Sequence, residues 1–164
     1  MSEIEQALLD AVNSIGNKLK AKKEMLATAE SCTGGWVGEV ITSVPGTSHW
    51  YDRGFITYSN AAKREMLGVP TDTLTRFGAV SEQTARAMAE GVLHNSQARY
   101  ALSITGIAGP EGGTPEKPVG HVCFAWAGHN LETVSECVRF DGDRQQVRSQ
   151  AVRHSLGRMA EIIP

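Results

Sequence analysis

The chain has 164 residues, of which 41% are hydrophobic and 21% charged, with a formal net charge of −2. That length builds one domain with a real core, and the charge leaves no overall basic field for nucleic acid. No apolar run is long enough to cross a membrane, and the polar, acidic start Met1-Ser2-Glu3-Ile4-Glu5 is unlike a secretion signal.

Residues 2–23 read as an amphipathic helix with Ile4, Leu8, Val12, Ile15 and Leu19 as its apolar stripe. Lys18, Lys20, Lys22 and Lys23 place positive charge near its C-terminal end, where the helix dipole favours it. Met25-Leu26-Ala27-Thr28 reads as a short buried strand. It runs into Ala29-Glu30-Ser31-Cys32-Thr33-Gly34-Gly35, and Trp36, Val37, Val40 and Ile41 then recur at helical spacing. A strand-to-helix turn of this kind aims backbone N–H groups and small hydroxyls at one point, where an anion or a developing oxyanion would sit well. Ser31 is therefore a first candidate for a nucleophile or a substrate-binding hydroxyl. An ordinary helix cap is the plainer reading.

Pro45-Gly46 ends that helix, and Thr47 to Asp52 mixes polar and aromatic residues without clear period. Arg53 to Tyr58 reads as a second strand, and Asn60 can cap a short helix to Leu67 with Lys63 in its first turn. Val69 to Gly78 reads as a connector with at most one helical turn. Ser81 then caps a longer helix whose Ala85, Met88, Ala89, Val92 and Leu93 face inward. Tyr100 to Ile104 is a third strand, leading into the Gly-rich Thr105 to Gly113. Val119–Ala127 and Glu132–Phe140 alternate and pair as an antiparallel hairpin around Gly128-His129-Asn130. Asp141-Gly142-Asp143 starts the last helix, with Val147, Ala151, Met159 and Ile162 inward.

This order predicts a single three-layer α/β/α domain over residues 1–164, built on a mixed β-sheet with helices on both faces. A site is expected at strand C-terminal ends. Three hydroxyl- or Gly-rich turns leave strands there: Ser31 to Gly35, Tyr58 to Lys63, and Thr105 to Gly113. Neither Gly-rich turn carries a P-loop or dinucleotide fingerprint. The three cysteines, Cys32, Cys123 and Cys137, are odd in number and lack Cys-x-x-Cys spacing. They read against a disulfide framework and against a zinc site, and fit a reducing cytoplasm. The five histidines show no paired metal spacing, so no metal is expected.

Ser31 and Ser48 are the serines that could serve as nucleophile. His49 adjoins Ser48, but sequence neighbours rarely point their side chains together. Lys63 is the better base, because the first turn of a helix and burial both disfavour its ammonium form. Arg144 and Arg148, four apart on one helix face, can clamp a phosphate or carboxylate, although a solvated basic face is the plainer reading.

Several motifs occur in order: Ala29 to Gly35, Pro45-Gly46-Thr47-Ser48, Gly54 to Asn60 with Lys63, Gly78-Ala79-Val80-Ser81, Thr105 to Gly113, Lys117-Pro118-Val119-Gly120, and Phe140-x-Gly142-Asp143-Arg144-x-x-Val147-Arg148. Together they resemble the CinA C-terminal domain family, the nicotinamide-nucleotide amidases, in its stand-alone form. The resemblance implies hydrolysis of nicotinamide mononucleotide (NMN) to nicotinate mononucleotide and ammonia in pyridine nucleotide salvage, by a Ser-Lys mechanism without metal or cofactor. It also implies a cytoplasmic homo-oligomer, a dimer, that takes a small-molecule substrate and no nucleic acid or membrane.

The resemblance moves the nucleophile to Ser48 with Lys63 as base, and makes Ser31, Tyr58 and Thr105 positioning residues. Thr33, Gly34, Gly35 and Gly106 would then help cradle substrate, with Arg144 and Arg148 for its phosphate. His121 departs from the small or hydroxyl residue expected after Gly120. The alternative function is a catalytically silent nucleotide-binding or regulatory module of the same fold.

Overall fold

The computed structural model describes residues 2–164. Helix α1 (Glu3–Lys22) begins at Ser2, which forms a capping box with Glu5. Its Val12, Ile15 and Leu19 are fully buried, as the stripe requires; the Ile4 side chain lies outside the described residues. Then follow β1 (Leu26–Glu30), α2 (Trp36–Thr42), a single 3₁₀ turn at Thr47–His49, β2 (Tyr51–Ile56), α3 (Asn60–Leu67), α4 (Thr71–Phe77) and α5 (Glu82–His94). The chain closes with β3 (Tyr100–Gly106), β4 (His121–Gly128), β5 (Leu131–Arg139) and α6 (Arg144–Ile162).

The five strands lie in the order β2-β1-β3-β4-β5. The β1 strand pairs in parallel with both β2 and β3, whereas β3-β4 and β4-β5 are antiparallel. The sheet is thus mixed, as expected. Alternation along the strands builds two different faces. Leu26, Leu102, Ile104, Phe124 and Trp126 pack with Val12, Ile15 and Leu156 of α1 and α6. Ala27, Ala29, Ala101, Ala125 and Ala127 face Met88, Ala89 and Val92 of α5, with Leu67 and Leu74 of α3 and α4. Large side chains hold the first pair of layers apart, and alanines let α5 lie close on the second. Trp126 stacks on Phe124 with centroids 5.7 Å apart, and its indole N–H donates to the Ser155 carbonyl at 3.0 Å, so its polar edge is satisfied in the core.

Three local expectations change. Strand β2 begins and ends two residues earlier than the pattern suggested, because Tyr51 already pairs with Leu26. Thr57 still donates its N–H to the Glu30 carbonyl of β1 at 2.8 Å, but the Thr57 and Tyr58 carbonyls turn elsewhere. The connector after Val69 contains a full helix, α4, whose Leu74 is buried against α5; a single apolar anchor is too weak a period to read. Cys123 and Cys137 face each other across β4-β5 and are joined as a disulfide. Cys32 is free and buried.

Helix α5 carries Gly91 in its last turn, where alanine would favour the helix by up to about 1 kcal/mol. Packing decides otherwise: a Cβ at Gly91 would come 2.1 Å from the Leu67 carbonyl oxygen. That atom is backbone and cannot swing away, and overpacking typically costs about 1–3 kcal/mol. Gly91→Ala is expected to lower the midpoint of thermal unfolding. A rise would show that α3 and α5 are not held this close.

Candidate active site

Because β1, β2 and β3 are mutually parallel, their C-terminal ends meet at one edge of the sheet, and side chains leaving them converge. Ser31 follows β1, with its N–H bonded to the Ile104 carbonyl of β3 at 3.0 Å. Lys63 arrives from α3, whose N-terminus is capped by Ser59 rather than Asn60. Thr105 and Gly106 end β3. These residues line a cavity of about 230 Å³, closed on one side by Ala79 and at its rim by Tyr58 and Arg144. Its size is small against typical ligand pockets. A larger hollow of about 670 Å³ lies between Trp36 and the glutamines of α6, but it contains no nucleophile paired with a base.

At the centre is Lys63, 1% exposed. Its Nζ donates to Ser31 Oγ at 3.0 Å, to the Thr57 carbonyl at 2.9 Å and to the Tyr58 carbonyl at 3.3 Å. The early exit of β2 supplies those two carbonyls. Burial holds the Lys63 pKa below the ordinary value of 10.5, with the Cys32 side chain pulling the other way. A neutral amine has two N–H groups and one lone pair. If the carbonyls take the two N–H groups, the lone pair is left for the Ser31 hydroxyl, which is the geometry of a base beside a nucleophile. Cys32 next door does not compete: burial pushes its thiol up to about 11, so it stays protonated near neutral pH.

The expected pairing of Ser48 with Lys63 is not formed. Ser48 lies in the 3₁₀ turn before β2, two residues ahead of Trp50, whose carbonyl accepts from Leu26 N at the start of β1. Lys63 follows the other end of β2. Six residues of strand separate them, about 20 Å at about 3.3 Å per residue, and Ser48 is exposed. Its neighbour His49 is exposed as well.

The turn at Ser31–Gly35 is also arranged differently from the open cradle expected. Glu30, 2% exposed, folds its carboxylate over the start of α2. One oxygen accepts from Thr33 Oγ1 at 2.7 Å and Val37 N at 2.9 Å, and the other from Gly38 N at 3.2 Å. The chain thus fills its own anion position with its own carboxylate. Thr33 serves that carboxylate, and Gly34 and Gly35 (φ +60° and +105°) shape the turn behind the cavity rather than lining it.

Arg148 braces the same turn. Its guanidinium donates to the Cys32 carbonyl at 3.0 Å and the Thr33 carbonyl at 3.2 Å and lies over the Trp36 ring. It is therefore committed to structure, whereas Arg144 reaches the cavity, bonding the Gly109 carbonyl at 2.8 Å with its other nitrogen 3.5 Å from Tyr58 Oη. Tyr58 brings its main-chain oxygen to the Ser31–Lys63 pair; the residue is 64% exposed at the rim. The Thr105 hydroxyl donates to the Ala79 carbonyl at 2.7 Å and so fixes the segment between α4 and α5 against the cavity. Ala108 lies inside the Thr105–Gly113 turn expected at the site, whereas Glu30 and Ala79 stand in the sequence motifs without an expected role of their own. Only Glu30 left a sequence signal, as a carboxylate placed just before a helix start.

The chain matches the model of the CinA C-terminal domain over residues 9–163. It is 51% identical over 152 residues to a protein of Enterobacter agglomerans named nicotinamide-nucleotide amidohydrolase PncC, covering 93% of each chain. A protein of Escherichia coli strain K12 with the same name is 50% identical over 149 residues, covering 91% of this chain and 90% of that one. The crystal structure of a competence/damage inducible protein from Agrobacterium tumefaciens superposes with a TM-score of 0.90 at 43% identity, covering 98% and 96% of the two chains. With nearly its whole length matched, the chain belongs to the CinA C-terminal domain family.

Proposed function

We propose that this protein hydrolyses the carboxamide of NMN to nicotinate mononucleotide and ammonia, within pyridine nucleotide salvage, with Ser31 as nucleophile and Lys63 as its base. The buried contact between Lys63 Nζ and Ser31 Oγ carries the reading, and the amidohydrolase names of its relatives supply the substrate.

The pyridinium of NMN draws electrons from its carboxamide and makes the carbonyl carbon more electrophilic. Ser31 Oγ attacks that carbon while Lys63 takes the hydroxyl proton. Collapse of the tetrahedral intermediate breaks the C–N bond, and Lys63 hands its proton to the leaving nitrogen as ammonia departs. Water then attacks the Ser31 ester as Lys63 accepts its proton; collapse breaks the ester bond, Lys63 returns that proton to Ser31 Oγ, and the acid product loses its own proton to solvent as the carboxylate. Lys63 is suited to both halves, because the Thr57 and Tyr58 carbonyls stabilise its transient ammonium while its burial keeps the neutral form accessible. Arg144 at the rim supplies positive charge for the phosphate. The chain is expected to work as a homo-oligomer, a dimer.

Ser31→Ala and Lys63→Met should each lower the rate of ammonia release from NMN by at least about 10²–10⁴-fold, the usual size of an acid–base contribution. Ser48→Ala should stay close to wild type. Full loss in Ser48→Ala with Ser31→Ala still active would reverse the assignment, and a wild type that releases no ammonia from NMN would end the reading.

The pH dependence has a defined sign. Attack needs neutral Lys63, so kcat/KM should rise with pH and level off at the Lys63 pKa, below the ordinary lysine value of 10.5. A limb still climbing past that value would mean that burial does not tune this amine.

A further inference from the structure

His121, Cys123 and Cys137 meet on the α5 side of the sheet, on the β4-β5 pair rather than on the strand ends that carry Ser31 and Lys63. His121 and Cys123 are two apart on β4 and share a face. Cys137 lies directly opposite Cys123 on β5. One ligand atom from each of the three falls within 4.8 Å of the others, and His121 Nε2 stands 3.6 Å from Cys123 Sγ. A disulfide that merely staples two strands needs no imidazole beside it, yet His121 occupies a position where a small or hydroxyl residue was expected.

We propose that, when the disulfide is reduced, His121, Cys123 and Cys137 form a binding site for one zinc-class divalent cation. Reduction takes two electrons from a dithiol, which also gives the two protons and becomes a disulfide, or from a phosphine, which becomes its oxide while water supplies the oxygen and the two protons; either way two thiols remain. On metal binding each thiol releases a proton to solvent and ligates as thiolate.

Two sulfurs and one imidazole nitrogen are the donor set that selects zinc over hard cations. Zn–S bonds of about 2.3 Å and Zn–N bonds of about 2.0–2.1 Å in a tetrahedron put ligand atoms about 3.5–3.8 Å apart. The His121–Cys123 separation already has that value, and the main adjustment is for the two sulfurs to part. Cys137 and His121 are partly buried while Cys123 is fully buried. The ion can therefore enter from the outer side, and water or a solute can take the fourth position. Lys117 is the cation that bears on His121, and two thiolate charges outweigh it. Across the β3-β4 register, Cys123 is the partner of Thr105, so the ion would sit one strand away from the wall of the catalytic cavity.

The test uses the full chain, reduced with a phosphine without oxygen and titrated with Co²⁺ as a visible probe. One equivalent should bind with thiolate-to-cobalt charge-transfer absorption and the strong bands of a tetrahedral ion, and Zn²⁺ should displace it. The oxidised protein should show neither. Cys123→Ser and Cys137→Ser should each remove the site or strip it of half its charge-transfer intensity, and Cys32→Ser should leave it unchanged. His121→Thr, at a partly buried position that will fold, should bind at least roughly tenfold more weakly. The proposal fails if reduced wild type shows no such absorption. It fails equally if His121→Thr binds as tightly as wild type, or if the bands survive loss of Cys123 and Cys137 together.

Discussion

The site depends on one lysine amine held inside the protein by two peptide carbonyls and a serine hydroxyl. Removing an ammonium from water is unfavourable by several kcal/mol unless its donors are met. Here the Thr57 and Tyr58 carbonyls and Ser31 Oγ meet all three donors without any carboxylate among the hydrogen-bond partners. A carboxylate in contact would stabilise the cation and raise the pKa; neutral carbonyls hold the nitrogen in place while burial still lowers it. The acidic residue closest in sequence to the serine, Glu30, is spent on Thr33 and the start of α2. Its hydrogen bonds keep it turned away from Lys63.

The order β2-β1-β3 makes this arrangement possible. Three parallel strands end at one edge, so Ser31, the Thr57-Tyr58 carbonyls and Thr105 need only short excursions to meet. Ending β2 at Ile56 frees two carbonyls from the ladder, and the Ser59 cap then starts α3 at the distance that brings Lys63 back over them. Arg148 and Glu30 fix the turn after Ser31 from opposite sides, one on its carbonyls and the other on its donors. Rigid support of this kind is what a nucleophile and base need to hold a productive separation.

The fold class, the helices with clear stripes and the mixed sheet were legible in the pattern of apolar residues. So was the convergence of three polar turns, because it follows from strand order. The choice of serine was not. Ser31 and Ser48 both stand in Gly- and Thr-containing turns, and only the register of β2 shows that one lies beside Lys63 and the other a strand length away. The exit of β2 was misjudged because Thr57 and Tyr58 have strand-like side chains, while the deciding event is a main-chain one. Arg148 was read as a phosphate ligand because its spacing to Arg144 is right; its commitment to the Cys32 and Thr33 carbonyls depends on where α6 docks. The Cys123–Cys137 bond joins residues 14 apart, a spacing that means nothing until β4 and β5 are paired.

The central claim is that Ser31, and not Ser48, carries the acyl group during turnover. Acid-quenching the enzyme during reaction with NMN, followed by cleavage after Glu39, separates the two serines onto different peptides for mass spectrometry. The account predicts a nicotinate-mononucleotide ester on the peptide containing Ser31. The same ester on the peptide containing Ser48 would contradict it.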